Sequence, residues 1–397
     1  MDIEGFRSSP VGILVPIRGT DNRRDEEYQH YAFVPHPLPY ELVLTTNTHN
    51  QVSKASMAIG RLQEALRKLP NPQVLLQPSL RREAQSTSAL EGTYAPLNDI
   101  FEGEFVDEAN LKENVREILN YVKAANLALE SLKTKPICVT MLSELQAILV
   151  QGTRSAQRDL GVIRTGQVII GDETKTVQEA RFVPPPPGDA LIEAMSDWEK
   201  WINAESDLSP VIKAALGHYQ FEALHPYTDG NGRLGRLVIS LQFVEAKVLD
   251  LPILNLSDWF NSQKEKYKDE LLKVSLTGDF DKWVSYFCEA IVRQSEREIK
   301  RIDSLLKFKV ELTKKLLDQK KRGIIFQMGE GLIGSPVVTI PRLADKHSVS
   351  YPTASSVVRK LVMMGILREV TGRQYQKIYL CMEVLKTLES TAGSNWP

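Results

Sequence analysis

Residues 225 to 236 read His-Pro-Tyr-Thr-Asp-Gly-Asn-Gly-Arg-Leu-Gly-Arg, and this run constrains the chain more than any other feature of its sequence. Apolar segments with helical spacing lie on both sides of it. Gly230 and Gly232 free the turn between them from side-chain clashes, so successive backbone N–H groups can point inward. Together with the positive end of the following helix dipole, these groups predict a phosphate-binding site.

Four side chains of the run carry chemistry that suits such a site. Arg233 and Arg236 are spaced i, i+3, so both guanidinium groups are expected on one helix face beside the phosphate. Asp229 offers an oxygen ligand suited to Mg²⁺. His225 is a base that titrates near neutrality and can accept a proton from a hydroxyl. The alternative is a structural corner with capping glycines and solvated arginines, but seven fixed positions together favour the functional interpretation.

The run resembles the signature of the Fic family, His-x-Phe-x-(Asp/Glu)-Gly-Asn-Gly-Arg-x-x-Arg, with Tyr227 in place of the usual Phe. That family transfers AMP from ATP to a protein hydroxyl. The resemblance implies a mainly α fold, a helical bundle with a small β-hairpin flap. It also implies that His225 deprotonates the target Ser, Thr or Tyr and that Asp229 holds Mg²⁺ against the phosphates. The residues that it assigns to ATP are Gly230, Asn231, Gly232, Arg233, Arg236 and, in a second similar segment, Tyr267.

Thr87 and Glu91 stand four residues apart at the end of a predicted helix, next to Gly92. They resemble the inhibitory pattern of the same family, Ser/Thr-x-x-x-Glu-Gly/Asn. The resemblance implies that Glu91 pairs with Arg236 where the γ-phosphate of ATP should sit, so that ATP binds non-productively or not at all. A second role implied by relatives is that Glu91 orients a water for the removal of AMP.

The remainder of the first 300 residues is predicted to be mostly helical, with one exception. Residues Gly161 to Gly171 are rich in β-branched side chains around Gly166 and predict a short hairpin. By resemblance this is the flap that aligns a target segment by strand pairing. Pro184 to Pro187 predict a rigid polyproline II connector rather than an SH3 ligand. The predicted helices are Asn50–Leu69, Leu80–Leu90, Asn110–Leu132, Thr140–Leu149, Leu191–Ala204 and Pro210–Leu224.

Beyond Trp283 a long amphipathic helix is predicted, followed by a helix, a turn, a second helix and a hairpin, which is the order of a winged helix. Residues 341 to 380 hold seven basic and two acidic side chains. This basic balance suits DNA, but winged helices also bind proteins, and both partners stay open. We predict an N-terminal helical region with the inhibitory helix (1–108), a Fic catalytic domain (109–293), a linker helix (294–320) and a winged-helix domain (321–397).

The chain has 397 residues, a formal net charge of −1 and three widely spaced cysteines. We expect a cytoplasmic protein without a membrane contact. The expected partners are ATP, a target protein that could be the chain itself, DNA or a protein at the winged helix, and a second copy in a homodimer. The main prediction is a protein adenylyltransferase. The alternatives are removal of AMP, phosphate transfer as in Doc-like relatives, and a DNA-binding regulator whose Fic body senses nucleotide.

Overall fold

The computed structural model of the chain describes residues 1–21, 26–69, 72–103, 107–153, 160–171, 176–320, 322–372 and 376–389. Helices dominate these residues, as predicted, and the strands form two small antiparallel sheets. No helix among them is both long and apolar enough to cross a bilayer. The first elements are α1 (Ile3–Arg7), β1 (Gly12–Asp21) and β2 (Glu26–Pro35).

The hairpin β1–β2 is an element that the sequence analysis did not predict. Its register pairs Gly12 with Pro35 and continues to Asp21 opposite Glu26. Its base is anchored by aromatic packing, since the rings of Phe6, Phe33 and Phe182 lie 4.9 to 5.8 Å apart. The hairpin thereby rests on the stretch of chain that precedes the four prolines.

The helices that follow agree with the six predicted ones to within a few residues at most ends. Ser209 caps α8 by accepting from the backbone N–H of Ile212 at 3.3 Å. Gly92 has φ +94° just after α3, as expected of a helix-ending glycine. The helices are α2 (Thr46–Arg67), α3 (Leu76–Leu90), α4 (Leu97–Gly103), α5 (Glu113–Ser131), α6 (Val139–Val150), α7 (Asp189–Asn203), α8 (Pro210–Leu224), α9 (Asn231–Glu245), α10 (Leu256–Ser262), α11 (Lys264–Thr277) and α12 (Phe280–Asp318).

Helices α8 and α9 form the centre of the bundle and are buried on nearly every face. Two buried tryptophans hold α8 in place. The indole of Trp198 donates to the carbonyl of Gly217 at 2.9 Å, and that of Trp283 donates to Ala215 at 2.8 Å. The loop between these two central helices, residues 225–230, therefore starts from a helix that is held in place.

The prediction of a hairpin within Gly161–Gly171, with its turn at Gly166, was wrong. Among residues 160–171 only Ile170 pairs as in a sheet, and its partner is Phe182, with backbone bonds of 2.9 and 3.2 Å. Gly166 therefore does not lie at the turn of a hairpin, because the partner strand comes from farther along the chain. We call residues 160–171 and 176–183 together the flap segment.

The four prolines have no helix or strand structure, which agrees with the predicted connector. The carbonyl of Pro184 accepts from the side chain of Gln167 at 3.0 Å, and the carbonyl of Pro185 accepts from Arg164. Pro184 and Pro185 are buried. The connector is thus fastened to the flap segment along one side.

The predicted linker helix is the second half of α12, a continuous helix of 39 residues that begins at Phe280. The C-terminal elements then follow the predicted order of helix, turn, helix and hairpin. Their strands form a three-stranded sheet in the order β3-β5-β4. Arg373, one of the seven basic residues, lies outside the described residues. The elements are α13 (Ile324–Glu330), β3 (Val337–Val338), α14 (Ile340–Lys346), α15 (Tyr351–Met363), β4 (Arg368–Glu369), β5 (Tyr379–Leu380) and α16 (Met382–Glu389).

Candidate active site

The loop that joins α8 to α9 begins and ends on residues with positive φ. His225 ends α8 with φ 48° and ψ 60°, and Gly230 precedes α9 with φ 84°. A left-handed conformation is free of cost for glycine but costs a non-glycine residue about 1–2 kcal/mol. His225 is therefore held in place by its surroundings rather than by its own backbone preference.

Asn231 closes this loop through both ends of its side-chain amide. Its Oδ1 accepts from the backbone N–H of Tyr227 at 2.8 Å, and its Nδ2 donates to the Tyr227 carbonyl at 2.7 Å. The Asn231 side chain is buried, and both ends of its amide are engaged with the backbone of Tyr227. What Asn231 can offer an anion is its backbone N–H at the start of α9.

Tyr227, the residue that departs from the Fic signature, is completely buried. A buried tyrosine hydroxyl needs a partner, and this one lies 3.2 Å from Oγ of Ser143 on α6. Burial raises the pKa of Tyr227 to about 12, so the ring is a neutral core anchor. The substitution of Tyr for Phe is thus accommodated by one neighbouring serine.

His225 lines a cavity of about 330 Å³ between α3, α8, α9, α11 and the flap segment. Among the described residues its Nδ1 makes no hydrogen bond of normal geometry, although the Glu222 backbone acts on the ring as an acceptor that favours its charged form. Burial and then the positive charge of Arg164 lower the pKa of His225 to about 4, against weaker opposing effects of Glu91 and Asp229. At neutral pH the imidazole is therefore uncharged and able to accept a proton.

Arg236 is buried and makes three bonds to the end of α3. Its Nε donates to Oγ1 of Thr87 at 2.7 Å, and its Nη2 donates to the Thr87 carbonyl at 3.2 Å and to Oε1 of Glu91 at 2.5 Å. Burial opposes the ionisation of Glu91, but Arg236 outweighs it and lowers the pKa of this carboxyl below its ordinary value. The two residues of the predicted inhibitory pattern thus both contact Arg236, the arginine with which Glu91 was predicted to pair.

The Glu91 carboxylate lies directly above the first turn of α9. A Cβ atom built on Gly232 would stand 2.2 Å from Oε1 of Glu91 and 2.9 Å from Nη1 of Arg236. Only glycine leaves room for the carboxylate at this point. The carboxylate therefore occupies the space between Gly232 and Arg236, where the sequence predicted a phosphate.

Arg233, the other arginine of the run, is also buried and lies between two carboxylates. Its Nη2 is 3.2 Å from both oxygens of Asp229, and its Nη1 is 3.5 Å from Glu117 on α5. Asp229 in addition accepts from the N–H of Gly230 at 2.5 Å. Arg233 and Asp229 are thus ordered by each other, and neither is among the described residues that line the cavity.

Tyr267 is buried against the wall of the same cavity. Its hydroxyl lies 2.8 Å from Nε2 of His218, and its ring stacks on Phe260 with centroids 4.5 Å apart. Burial lowers the pKa of His218 to about 3, so the pair is neutral. Apolar and polar groups share the remaining wall, which is formed by Leu90, Ile170, Arg181, Phe182, Tyr219, Ala223, Lys264, Lys268, Leu271, Leu272 and Ser275.

Glu222 and Arg164 belong to this site but were not predicted. Glu222 lines the cavity one helical turn before His225, and burial raises its pKa to about 7. Arg164 donates from Nε to the carbonyl of His225 at 2.8 Å. Glu222 could have been predicted, because it stands three residues before His225 and therefore on the same helix face. No sequence signal marks Arg164.

Asp229 is the residue that could hold a metal ion. Its side chain is 38% exposed, so an oxygen can face the pocket. Among the described residues no three His, Cys, Asp or Glu side chains form a metal cluster. A single carboxylate beside an anion pocket fits Mg²⁺ that arrives with phosphate oxygens, because this ion is usually held by one or two carboxylates plus substrate phosphates.

Comparison with known proteins gives two family models that match adjoining stretches of the chain. The model of the Fic/DOC family N-terminal region matches residues 49–130, and the model of the Fic/DOC family matches residues 136–243. The first stretch contains α3 with the carboxylate, and the second contains the loop with the histidine and the arginines. Both halves of the site described above therefore fall within the matched residues.

Curated relatives match about a third of the chain. The protein adenylyltransferase fic-1 of Caenorhabditis elegans is 31% identical over 153 residues, which are 38% of this chain and 26% of the relative. The protein adenylyltransferase Fic of Drosophila virilis is 34% identical over 131 residues, 32% of this chain and 24% of the relative. The chain thus aligns with about a quarter of the length of these relatives.

Among solved structures, a Fic family protein from Desulfovibrio desulfuricans superposes with a TM-score of 0.58 at 18% identity. The superposition covers 87% of this chain and 98% of that one. A fragment of Fic-1 from C. elegans superposes with a TM-score of 0.50 at 23% identity, over 66% of this chain and 76% of that one. At these identities the likeness concerns the fold.

Proposed function

The chain belongs to the Fic/DOC family, and from this premise we propose that it is a protein adenylyltransferase that is restrained by its own Glu91. The reaction transfers AMP from ATP to a Ser, Thr or Tyr hydroxyl of a protein. The hydroxyl oxygen forms a bond to the α-phosphorus, the bond from that phosphorus to the bridging oxygen breaks, and pyrophosphate leaves. The hydroxyl proton passes to His225.

One observation carries this proposal: a neutral histidine and an arginine-lined anion pocket face the same cavity. His225 and Arg236 both line it. The pKa of His225, lowered to about 4, keeps the imidazole in the form that accepts a proton. The N-terminus of α9 with Arg236 provides fixed positive charge for phosphate oxygens, so catalysis would consist mainly of positioning and charge stabilisation.

Asp229 would hold Mg²⁺, which supplies further neutralisation of phosphate charge when it is bound. The chain's own contribution is to orient that carboxylate. The contacts of Asp229 with Arg233 and with the backbone of Gly230 keep it at the loop's end. Arg233 would in turn face the outer phosphates of ATP.

The restraint by Glu91 is a competition between a carboxylate and a phosphate. The carboxylate bonds to Arg236 and lies over Gly232, so a terminal phosphate cannot bind there at the same time. The contact of Thr87 with Arg236 strengthens the closed arrangement. Release requires α3 to move or Glu91 to leave, after which the arginine is free to bind ATP.

The flap segment is the surface on which the target would lie. Ile170 borders the cavity and pairs with Phe182, so the flap segment is already extended beside His225. A target segment that adds to this edge by backbone hydrogen bonds would present its hydroxyl without needing a side-chain pocket. The identity of the modified protein would then depend on backbone shape more than on sequence.

Two radiolabelled nucleotides test the reaction. The Glu91→Gly protein is incubated with a cell lysate and ATP labelled at the α- or at the γ-phosphorus. Kinases of the lysate also transfer the γ-label, so the readout is the label that disappears in the Glu91→Gly/His225→Ala double variant, and we expect this label from α-labelled ATP only. Transfer of the γ-label that depends on His225 would instead establish phosphate transfer, and equal labelling with and without His225 would contradict the proposed base.

The C-terminal region supports DNA binding as a second candidate function. Arg359 and Lys360 lie exposed on α15, on a helix whose N-terminus also exposes Tyr351. A DNA-binding surface predicts a mobility shift with duplex DNA that weakens steeply as salt rises, since neutralised phosphates release counterions. A protein-binding surface predicts no shift at physiological salt. His225→Ala leaves a DNA-binding function intact, which separates this candidate from the enzyme.

A further inference from the structure

Arg164 is a buried arginine whose side chain touches three separate segments of the chain. Its residue surface is 1% exposed. Nε donates to the carbonyl of His225 at 2.8 Å, Nη1 donates to Gly166 at 3.1 Å, and Nη2 donates to Pro185 and, at 3.5 Å, to Leu224. From this arrangement we propose that Arg164 is a positioning residue that fixes His225 and connects it mechanically to the flap segment.

The partners of Arg164 are unusual for a buried cation. All four acceptors are backbone carbonyls, and none of its contacts within the described residues is a carboxylate. Burial without a counter-charge is costly, and it lowers the pKa of Arg164 to about 10. A neutral side chain would avoid this cost. We therefore attribute the presence of an arginine here to the segments that its hydrogen bonds hold together.

Two of the four acceptors are the carbonyls at the end of α8. The last carbonyls of a helix lack partners within the helix and carry the negative end of its dipole. Here the carbonyls of Leu224 and His225 are taken up by the guanidinium group. The backbone N–H of Arg164 also donates to the carbonyl of Pro226 at 2.9 Å. One residue therefore binds three consecutive carbonyls around the left-handed His225.

The other two acceptors flank the place where a target is proposed to bind. Gly166 lies in the flap segment before Ile170, and Pro185 lies just after Phe182, the partner of Ile170. The guanidinium group thus bonds to Gly166 before the Ile170–Phe182 pair, to Pro185 after it, and to the backbone of His225. This inference rests on the proposed function, because positioning matters here only if His225 acts on a hydroxyl that the flap segment presents.

The test uses the full chain with Glu91→Gly as the parent. Arg164→Met removes the donors while keeping the bulk, and Arg164→Lys keeps the charge but cannot span several carbonyls with one ammonium group. Arg116→Met is the matched control, because Arg116 also donates to backbone carbonyls, those of Gly152 and Glu108 at 2.8 Å, outside the cavity. Three quantities are measured: ATP affinity by calorimetry, kcat and KM for AMP transfer, and the ring ¹⁵N signals of the histidines, with His225 assigned from His225→Ala.

For Arg164→Met we expect kcat to fall about 100-fold, the effect of a misplacement of about 1 Å, with ATP affinity retained. The ring signals of His225 should shift while those of His218 stay in place. Arg164→Lys should recover only part of the rate, and Arg116→Met should match the parent. If Arg164→Met does not fold, Arg164→Lys carries the same test, with ATP-binding stoichiometry as the measure of folded protein.

Parental kcat in both Arg164 variants, or unmoved His225 signals, would overturn the positioning role. A fall of ATP affinity in step with kcat would also overturn it, because it would show a general loss of structure. Failure of the proposed function looks different. In that case the Glu91→Gly parent itself transfers no AMP, although the His225 signals still respond to Arg164.

Discussion

His225 combines a left-handed backbone with a buried ring nitrogen, Nδ1, that makes no hydrogen bond of normal geometry among the described residues. Both properties are costly, and both persist only because neighbouring groups determine the position of the residue. Strain of this kind is frequent where a side chain must be presented to a ligand. At the scale of the single residue, the site is defined by where this histidine, Arg236 and Glu91 are held rather than by their identities alone.

The protonation of His225 can be measured directly. Burial and the charge of Arg164 lower its pKa to about 4, so in the nucleotide-free protein the ring stays neutral above that pH and becomes cationic only below it. We expect the ¹⁵N titration of His225 to have its midpoint near pH 4, whereas an ordinary histidine titrates at about 6.5. A midpoint near the ordinary value would show that burial and Arg164 do not lower the pKa of this ring as described.

Gly232 offers a second test at the same scale. A methyl group there would lie 2.2 Å from Oε1 of Glu91 and would fill the space of a phosphate oxygen. In the Glu91→Gly background we predict that Gly232→Ala weakens ATP binding at least about tenfold, or ~1.4 kcal/mol, by calorimetry. Gly60→Ala is the control, since nothing lies within 4 Å of its added Cβ. An equal loss of ATP affinity in Gly232→Ala and Gly60→Ala would show that the effect does not arise in the pocket.

At the scale of elements, the helices and the C-terminal hairpin were predictable, and the other strand pairings were not. A helix such as Pro210–Leu224 is predicted by its local caps and by the spacing of its apolar residues. The pairing of Ile170 with Phe182 depends on residues twelve positions apart, and the hairpin β1–β2 on contacts with that same distant stretch. Arg164 donates to backbone carbonyls of three segments. Because every residue has a backbone carbonyl, the residue types of these segments do not indicate the contacts.

The hairpin β1–β2 should determine how firmly the flap segment is held. Phe33 is fully buried against Phe6 and Phe182, and truncating a buried Phe costs about 3–5 kcal/mol. We predict that Phe33→Ala speeds hydrogen exchange at the amides of Ile170 and Phe182. Ile13→Ala, on the same hairpin but 53% exposed, should leave both amides as they are. Unchanged exchange in Phe33→Ala would show that the flap segment is stable without the hairpin.

At the scale of the whole molecule, α12 is the element that spans from the helical bundle to the C-terminal region. Trp283 near its start donates to α8, and Leu316 near its end is buried against Gly329 of α13. The predicted boundary at residue 294 thus falls inside one continuous helix. A displacement of the C-terminal region would be transmitted to the bundle through this continuous helix. The sequence pattern predicted this part of α12 only as a linker.

Two adjacent leucines test whether the end of α12 belongs to the C-terminal core. Leu316 is fully buried, whereas Leu317 is 51% exposed. We expect Leu316→Ala to lower the free energy of unfolding of this region by about 2–5 kcal/mol, visible as an earlier transition in calorimetry. Leu317→Ala should change it by less than about 0.5 kcal/mol. Equal effects would mean that this end of α12 does not pack as described.

The central claim is that Glu91 and a phosphate of ATP compete for Arg236, and the intact mass of the protein after incubation with ATP and Mg²⁺ tests it most directly. For Glu91→Gly we predict added mass of one or more adenylyl groups, with far less addition to the wild-type chain and none when His225 is also replaced by Ala. The same addition to the wild-type and Glu91→Gly proteins, or phosphoryl in place of adenylyl groups, would contradict the claim.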